Sequence, residues 1–289
     1  MTDQITTRAQ IPLARRIVVK VGSSSVSGAN AAQIPLLVDA LAAAHARGTE
    51  VILVSSGAIA TGMPYLKLNG RPSDLATQQA AAAVGQNVLV FRYQESLDRY
   101  RIVAGQVLLT AGDLENPAHR SNAQRAMERL LSLRILPIVN ENDTVATHEI
   151  RFGDNDRLAA LVSQLVGADL LLLLSDVDAL YTKPPRDPGA ERIEDVDVDD
   201  ALERVEFGGI GDTGVGTGGA RTKVSAAKLA ASSGTPVLLT STDLIGEALA
   251  GHHLGTWFAA ENEPSQPVHD RLVRARGTQP AAPAERREK

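Results

Sequence analysis

The sequence contains no cysteine. That excludes disulfides, thiolate metal sites and cysteine nucleophiles, and it fits a reducing cytosol. Aromatic residues are scarce at 3%, with one tryptophan. Alanine and leucine dominate instead, which points to Ala-rich helices on aliphatic strands rather than to an all-β fold. An excess of positive charge is also missing. The formal net charge is −5, whereas a dedicated nucleic-acid binder shows a basic patch. The amino-terminal MTDQITTRAQIPLARR has no apolar core of the kind a signal peptide carries. The longest apolar run, 168–174, is interrupted by Asp169 and closed by Asp176. It falls far short of the about 20 residues that cross a bilayer. These absences predict a soluble cytoplasmic protein.

Several catalytic signatures are absent as well. No Gly-Lys pair occurs, so there is no Walker A loop, and there is no His-Glu-x-x-His zinc motif. No Gly-x-Ser-x-Gly elbow occurs either. The six histidines are scattered, and His252-His253, with no nearby acid, is read as surface.

What is present is alternation. With 289 residues and 44% apolar content, the chain is long enough for one large α/β domain. Strand-like apolar runs occur at 17–21, 51–55, 102–109, 135–139, 170–174 and 237–240. Ile34, Leu37, Val38 and Leu41 have the spacing of one helix face, as do Leu158, Leu161, Val162 and Leu165, and Ala123, Ala126, Met127, Leu130 and Leu131 mark a third. The pattern predicts a mostly parallel sheet covered by helices on both faces. Functional groups then belong at the strand carboxyl ends. Residues 144–152 read as a short hairpin, 183–200 as an exposed excursion, and 199–207 as a helix. The composition from Glu261 onward predicts a disordered tail.

The strand ends are polar. Ile17-Val18-Val19-Lys20-Val21 is β-branched apart from one lysine. A buried ammonium is costly unless neutralised, so Lys20 calls for an anion. Gly22-Ser23-Ser24-Ser25 follows it, Ser55-Ser56-Gly57 ends the second run, Asn140-Glu141-Asn142-Asp143 the fourth and Ser175-Asp176 the fifth. Any one such turn is explained as a tight turn or helix cap. Together, with a lysine, they suggest a crevice for a charged ligand, because backbone N–H groups at helix starts suit anions.

Two further segments carry chemistry. GGIGDTGVGTGGARTK, residues 208–223, contains Gly209-x-Gly211-x-x-Gly214, a formal match to the dinucleotide fingerprint. That fingerprint needs a preceding strand, and 199–207 does not read as one. What remains is a glycine-rich loop entering a helix with Arg221, Thr222 and Lys223 in its first turn. By its physics this is a phosphate cradle, set against the plainer reading of a surface loop with a solvated lysine. RFGDNDR, residues 151–157, puts Asp154, Asn155 and Asp156 at the start of a helix. Capping accounts for one of them. All three, near Asp143, suggest recognition of an ammonium or the placing of lysines. Asp143 and Asp156 could also reach a magnesium ion, whose shell is filled mostly by water and phosphates.

VVKVGSSS, VILVSSGAIATG, PIVNENDTVATHEIRFGDNDRLAAL, LLLLSDVDALYT and GTGGARTKVSAA occur in that order. They closely resemble the glutamate 5-kinase (γ-glutamyl kinase) group of the amino acid kinase family. The resemblance runs from Arg15 to about Phe258. It implies a three-layer αβα sandwich and a catalytic domain over 1–260, with 261–289 as the tail. It implies ATP-dependent phosphorylation of the glutamate γ-carboxylate, the first step of proline synthesis, with Mg²⁺ carried by ATP.

By motif match, Lys20, Asp156 and Lys223 would be catalytic. Lys20, Gly22 and the loop Thr217-Gly218-Gly219-Ala220-Arg221-Thr222-Lys223 would contact ATP, with Ser175 and Asp176 nearby. Ser56, Gly57, Asn140, Asp143, Asp154 and Asn155 would bind glutamate. Proline feedback and a dimer or tetramer are further implications. Many bacterial members carry a C-terminal PUA domain, and this chain stops before one would fit. Ser24 and Ser175 stand where threonine is common, and Ala220-Arg221 where methionine and a small residue are frequent. Two alternatives stay open: another carboxylate or carbamate kinase of the same fold, and a catalytically silent ligand sensor.

Overall fold

The computed structural model describes residues 4–145, 154–197, 199–207 and 219–261. Its strands are β1 (Arg16–Val21), β2 (Glu50–Ser55), β3 (Ala104–Leu109), β4 (Leu136–Glu141), β5 (Leu170–Ser175), β6 (Leu180–Tyr181), β7 (Arg192–Ile193), β8 (Asp195–Val196), β9 (Val237–Ser241) and β10 (Thr256–Phe258). The α-helices are α1 (Ser23–Val26), α2 (Ile34–Ala46), α3 (Ala58–Gly62), α4 (Leu75–Leu97), α5 (Ala111–Glu115), α6 (Pro117–Ser132), α7 (Asp154–Val166), α8 (Ala220–Ala231) and α9 (Ile245–Leu249).

Eight strands form one sheet in the order β3-β4-β2-β1-β5-β9-β10-β8. Every pairing is parallel except β9 with β10. β6 and β7 make a separate antiparallel pair. All six expected strands are present, and parallel pairing explains their continuous apolar character, since both faces of the sheet are covered.

The two cores lie on opposite faces. Val18, Ile52, Val54, Val139, Leu171 and Leu173 pack with residues of α6, α7 and α8. Ile17, Val19, Val51, Leu53, Ile138 and Leu172 pack with residues of α2, α4 and α9. Side chains alternate along a strand. Lys20 therefore shares the face of Val18, toward α7 and α8, and Asn140 shares the face of Ile138, toward α4. The architecture is a three-layer αβα sandwich.

The structure corrects three sequence expectations. Residues 199–207 form turns, not a helix. Leu202 and Val205 are buried at a helix-like spacing, but Leu202 is in the left-handed region at φ 53°, which ends any helix there. The dinucleotide fingerprint still lacks its preceding strand. The segment 183–200 is not wholly an exposed excursion: β7 and β8 bring Ile193 and Val196 into the core. His252 does have an acid beside it, Glu247 at 3.6 Å, although both side chains are about 60% exposed. The hairpin expected at 144–152, apart from its first two residues, lies outside the described residues. So do the fingerprint glycines and the tail beyond Glu261.

Candidate active site

The strand carboxyl ends converge as expected, and the charged part of the site is built on one carboxylate. Asp156, in the first turn of α7, is fully buried. Its Oδ1 makes an ion pair with Lys20 Nζ from β1, and its Oδ2 lies 3.5 Å from Lys223 Nζ on α8. Thr222 Oγ1 donates to the same Oδ2 at 2.9 Å. Lys20 is 4% exposed and Lys223 7%. The α7 spacing explains the placement. Leu158, Leu161, Val162 and Leu165 are all buried, and packing that stripe on the sheet carries Asp156 beneath Lys20.

The electrostatics follow from this geometry. Burial alone would raise the Asp156 carboxyl. The ammoniums of Lys20 and Lys223 and the Thr222 hydroxyl outweigh it and hold the carboxyl at about 2. Lys20 is pushed below the ordinary lysine value, first by burial and then by Lys223, with Asp156 opposing both. Two buried ammoniums thus meet at one buried carboxylate.

Of the other residues expected at the nucleotide, Gly22 and Thr222 touch this cluster. A methyl at Gly22 would sit 3.9 Å from Lys20 Nζ, so glycine keeps the ground beside the ammonium open. Gly219 caps α8 in an extended conformation, and its carbonyl, also 2.9 Å from Thr222 Oγ1, competes with Asp156 for the one hydroxyl proton. Ala220 and Arg221 are exposed, and the Arg221 guanidinium lies over the Phe207 ring at 5.4 Å. Ser175 is buried and donates to Asp176 Oδ1 at 3.0 Å, while Asp176 is exposed. Thr217 and Gly218 lie outside the described residues.

The residues expected to hold the acceptor lie across the sheet end. Ser56 is buried, and Gly57 adopts φ 96°, a left-handed conformation that favours glycine and starts α3. Asn155 is half-buried and accepts from the Glu141 N–H at 3.3 Å. Asp143 is half-buried and acts electrostatically on the Arg71 guanidinium. Asp154 is placed as the first residue of α7. Asn140 is 1% exposed and turned inward: its Nδ2 donates to Gln86 Oε1 at 2.6 Å, and its Oδ1 accepts from the Glu141 N–H at 2.9 Å.

Sequence reasoning passed over several neighbours. Gln86 and Arg71 carry no local signal. Tyr93 of α4 bonds Ser55 Oγ at 2.9 Å and tethers the end of β2. Thr242, just past β9, donates to Ser25 Oγ at 2.9 Å and is 3.3 Å from the Ser175 carbonyl. Thr242 was open to discovery, because it stands at a strand carboxyl end like the residues singled out.

A buried Lys–Asp–Lys cluster at the carboxyl edge of a parallel sheet, within an αβα sandwich, places the chain among three-layer α/β proteins with a charged site at the strand ends. A model of the amino acid kinase family matches residues 15–241, and the chain belongs to that family. A glutamate 5-kinase of Clavibacter sepedonicus is 78% identical over 252 residues, which are 87% of this chain and 97% of that protein. The glutamate 5-kinase of Leifsonia xyli subsp. xyli is 75% identical over 256 residues, 89% and 95% of the two chains. That of Streptomyces coelicolor is 54% identical over 270 residues, 92% of this chain and 71% of its own. Among solved structures, carbamate kinase from Giardia lamblia bound to AMP-PNP superposes with a TM-score of 0.61 at 14% identity, covering 86% of this chain and all of the other. Isopentenyl phosphate kinase from T. acidophilum gives 0.57 at 15%, covering 84% and 99%. At such identities the likeness is one of fold.

Proposed function

We propose that this chain transfers the γ-phosphoryl group of ATP to the side-chain carboxylate of L-glutamate, giving γ-glutamyl phosphate for proline synthesis. The observation that carries the reading is the Lys20–Asp156–Lys223 cluster, in which two buried ammoniums meet at one buried carboxylate. Relatives named glutamate 5-kinase at 75% and 78% identity over almost their whole length support the choice of acceptor.

The chemistry needs little from acid–base groups. A glutamate side chain, with a reference pKa of about 4.3, is already ionised at neutral pH. One of its oxygens attacks the γ-phosphorus, the bond to the β–γ bridging oxygen breaks, ADP leaves with the electron pair, and no proton moves. The obstacle is bringing a carboxylate to a polyanion, so catalysis is positioning and charge neutralisation. Lys20 and Lys223 offset charge on the transferring group from two sides, and Asp156 keeps both ammoniums in place. Backbone N–H groups around Ser56 and Gly57 would accept the α-carboxylate, and Asp143 the α-ammonium. The Asn155 amide would bind the substrate beside them.

Mg²⁺ belongs to the same reading. Among the described residues no three His, Asp or Glu side chains are grouped to hold a metal. In this reading the ion rides on the triphosphate, where phosphate and water oxygens fill most of its shell. Bound there, it would supply further charge neutralisation. Among the described residues no helix is long and apolar enough to cross a membrane. A cytoplasmic location, a homodimer or homotetramer, proline feedback at or near the glutamate site, and a catalytic domain over 1–260 complete the proposal.

The deciding experiment is ADP release with ATP–Mg²⁺ and L-glutamate, aspartate or N-acetylglutamate, with hydroxylamine trapping of the acyl phosphate. Glutamate-dependent release, lowered by added proline, is expected. Equal turnover of another acceptor would reject the substrate, and binding of both ligands without ADP release would reveal a silent sensor.

A further inference from the structure

At the end of β4, Asn140 meets Gln86 of α4, and both side chains are buried, with Gln86 only 7% exposed. A neighbour that cannot reverse its role sets the orientation of the amides. The Glu141 backbone N–H can only donate. It donates to Asn140 Oδ1 at 2.9 Å and to Asn155 Oδ1 at 3.3 Å, a shared bond. Asn140 must then present Nδ2 on its other side, where Gln86 Oε1 receives it at 2.6 Å. Asn155, with Oδ1 committed to the backbone, has Nδ2 as the group to offer a ligand. An amide donor suits a carboxylate or acyl-phosphate oxygen.

Two more observations single out Gln86. Its Nε2 is buried with no acceptor among the described residues. An unpaired buried donor costs about 1–3 kcal/mol, so packing alone would favour an apolar side chain there. Its neighbour Gly85 is pressed against α3, since an added methyl would overlap the Ala58 carbonyl. That contact fixes the α4 backbone that carries Gln86.

We propose that Gln86 is a positioning residue for the acceptor substrate. It anchors Asn140 and, through the shared Glu141 N–H, sets the Asn155 amide so that Nδ2 faces the amino-acid ligand. The inference rests on the reading of Asn155 as an acceptor-site residue given above.

A double-mutant cycle on the full chain tests it, with Q86M, N155A and the pair, reading kcat and the KM for L-glutamate and for ATP. Q86M is expected to raise the glutamate KM roughly tenfold while moving the ATP KM less than about twofold. In the N155A background Q86M should add less than about twofold, because coupled residues are non-additive. The proposal is overturned if Q86M leaves the glutamate KM unchanged, if both KM values move together, or if the Q86M effect persists undiminished on N155A. A purely structural Gln86 would lower Tm and act alike in both backgrounds. Failure of the wild-type chain to release ADP with glutamate would defeat the substrate reading instead. An additive cycle in an enzyme active on glutamate defeats only the role of Gln86.

Discussion

The two faces of the sheet reach its carboxyl edge with different chemistry. Toward α7 and α8 the device is ionic: Lys20, Lys223 and one buried carboxylate. Toward α4 it is neutral: the amides of Gln86 and Asn140 and a hydroxyl pair, Ser55 with Tyr93. Burial of Tyr93 pushes its hydroxyl above the ordinary tyrosine range, so it stays neutral. The contrast matches the two tasks of the function proposed above. Phosphate needs charge offset, and a loosely charged cluster does that even as the phosphoryl group moves. A small amino acid needs orientation, and fixed amides provide direction without adding charge beside a carboxylate nucleophile. One-residue alternation along the strands sorts the devices to their faces.

The sharpest way to break the contrast is to remove the central carboxylate. Asp156→Ala removes the carboxylate that Lys20 and Lys223 both meet, and breaking a buried pair in this way costs about 3–5 kcal/mol. Denaturant unfolding should show that loss, with activity abolished. Lys20→Ala and Lys223→Ala come next. Each should lower kcat by ~10²–10³, the usual worth of a charge-stabilising group, with the glutamate KM little changed. Near-normal turnover in either variant would remove that lysine from its assigned role. On the neutral side, Gly85→Ala forces a methyl into the Ala58 carbonyl. Overpacking of this kind costs about 1–3 kcal/mol or more, and a Tm equal to wild type would show that α4 can shift. Asp143→Ala should act mainly on the glutamate KM. Movement of the ATP KM alone would place Asp143 on the ionic side.

The smallest effects are in pH. Asp156 is depressed in the folded chain to about 2, so its stabilisation is complete above the ordinary carboxylate pKa and is lost as pH falls toward about 2. Lys20 titrates below the ordinary lysine value and must stay protonated to neutralise phosphate. The alkaline limb of kcat/KM for ATP, which reports the free enzyme, should therefore fall before an ordinary lysine would titrate. An alkaline limb at or above the ordinary lysine value, 10.5, would contradict this.

The ionic side was far more legible in the sequence than the neutral side. Lys20 stood out because a charge interrupts an apolar strand, and Asp156 because three polar residues open an amphipathic helix. Gln86 lies 54 residues from Asn140 in an Ala-rich helix, α4, whose small side chains on every side blur the apolar stripe. No local pattern marked that helix or its glutamine. Residues 199–207 misled in the opposite sense, since a helix-like spacing of Leu202 and Val205 was realised in turns.

Alternation, strand ends and motif order were enough to specify the αβα class and the parallel sheet, because apolar periodicity and turn chemistry are local properties. The pairing of Lys20 and Lys223 with Asp156 was suggested by the motifs, but its geometry, the inward turn of Asn140 and the contact of Gly85 with α3 came only with the tertiary structure. They depend on which elements the sheet order makes neighbours, and on which face each alternating side chain then meets.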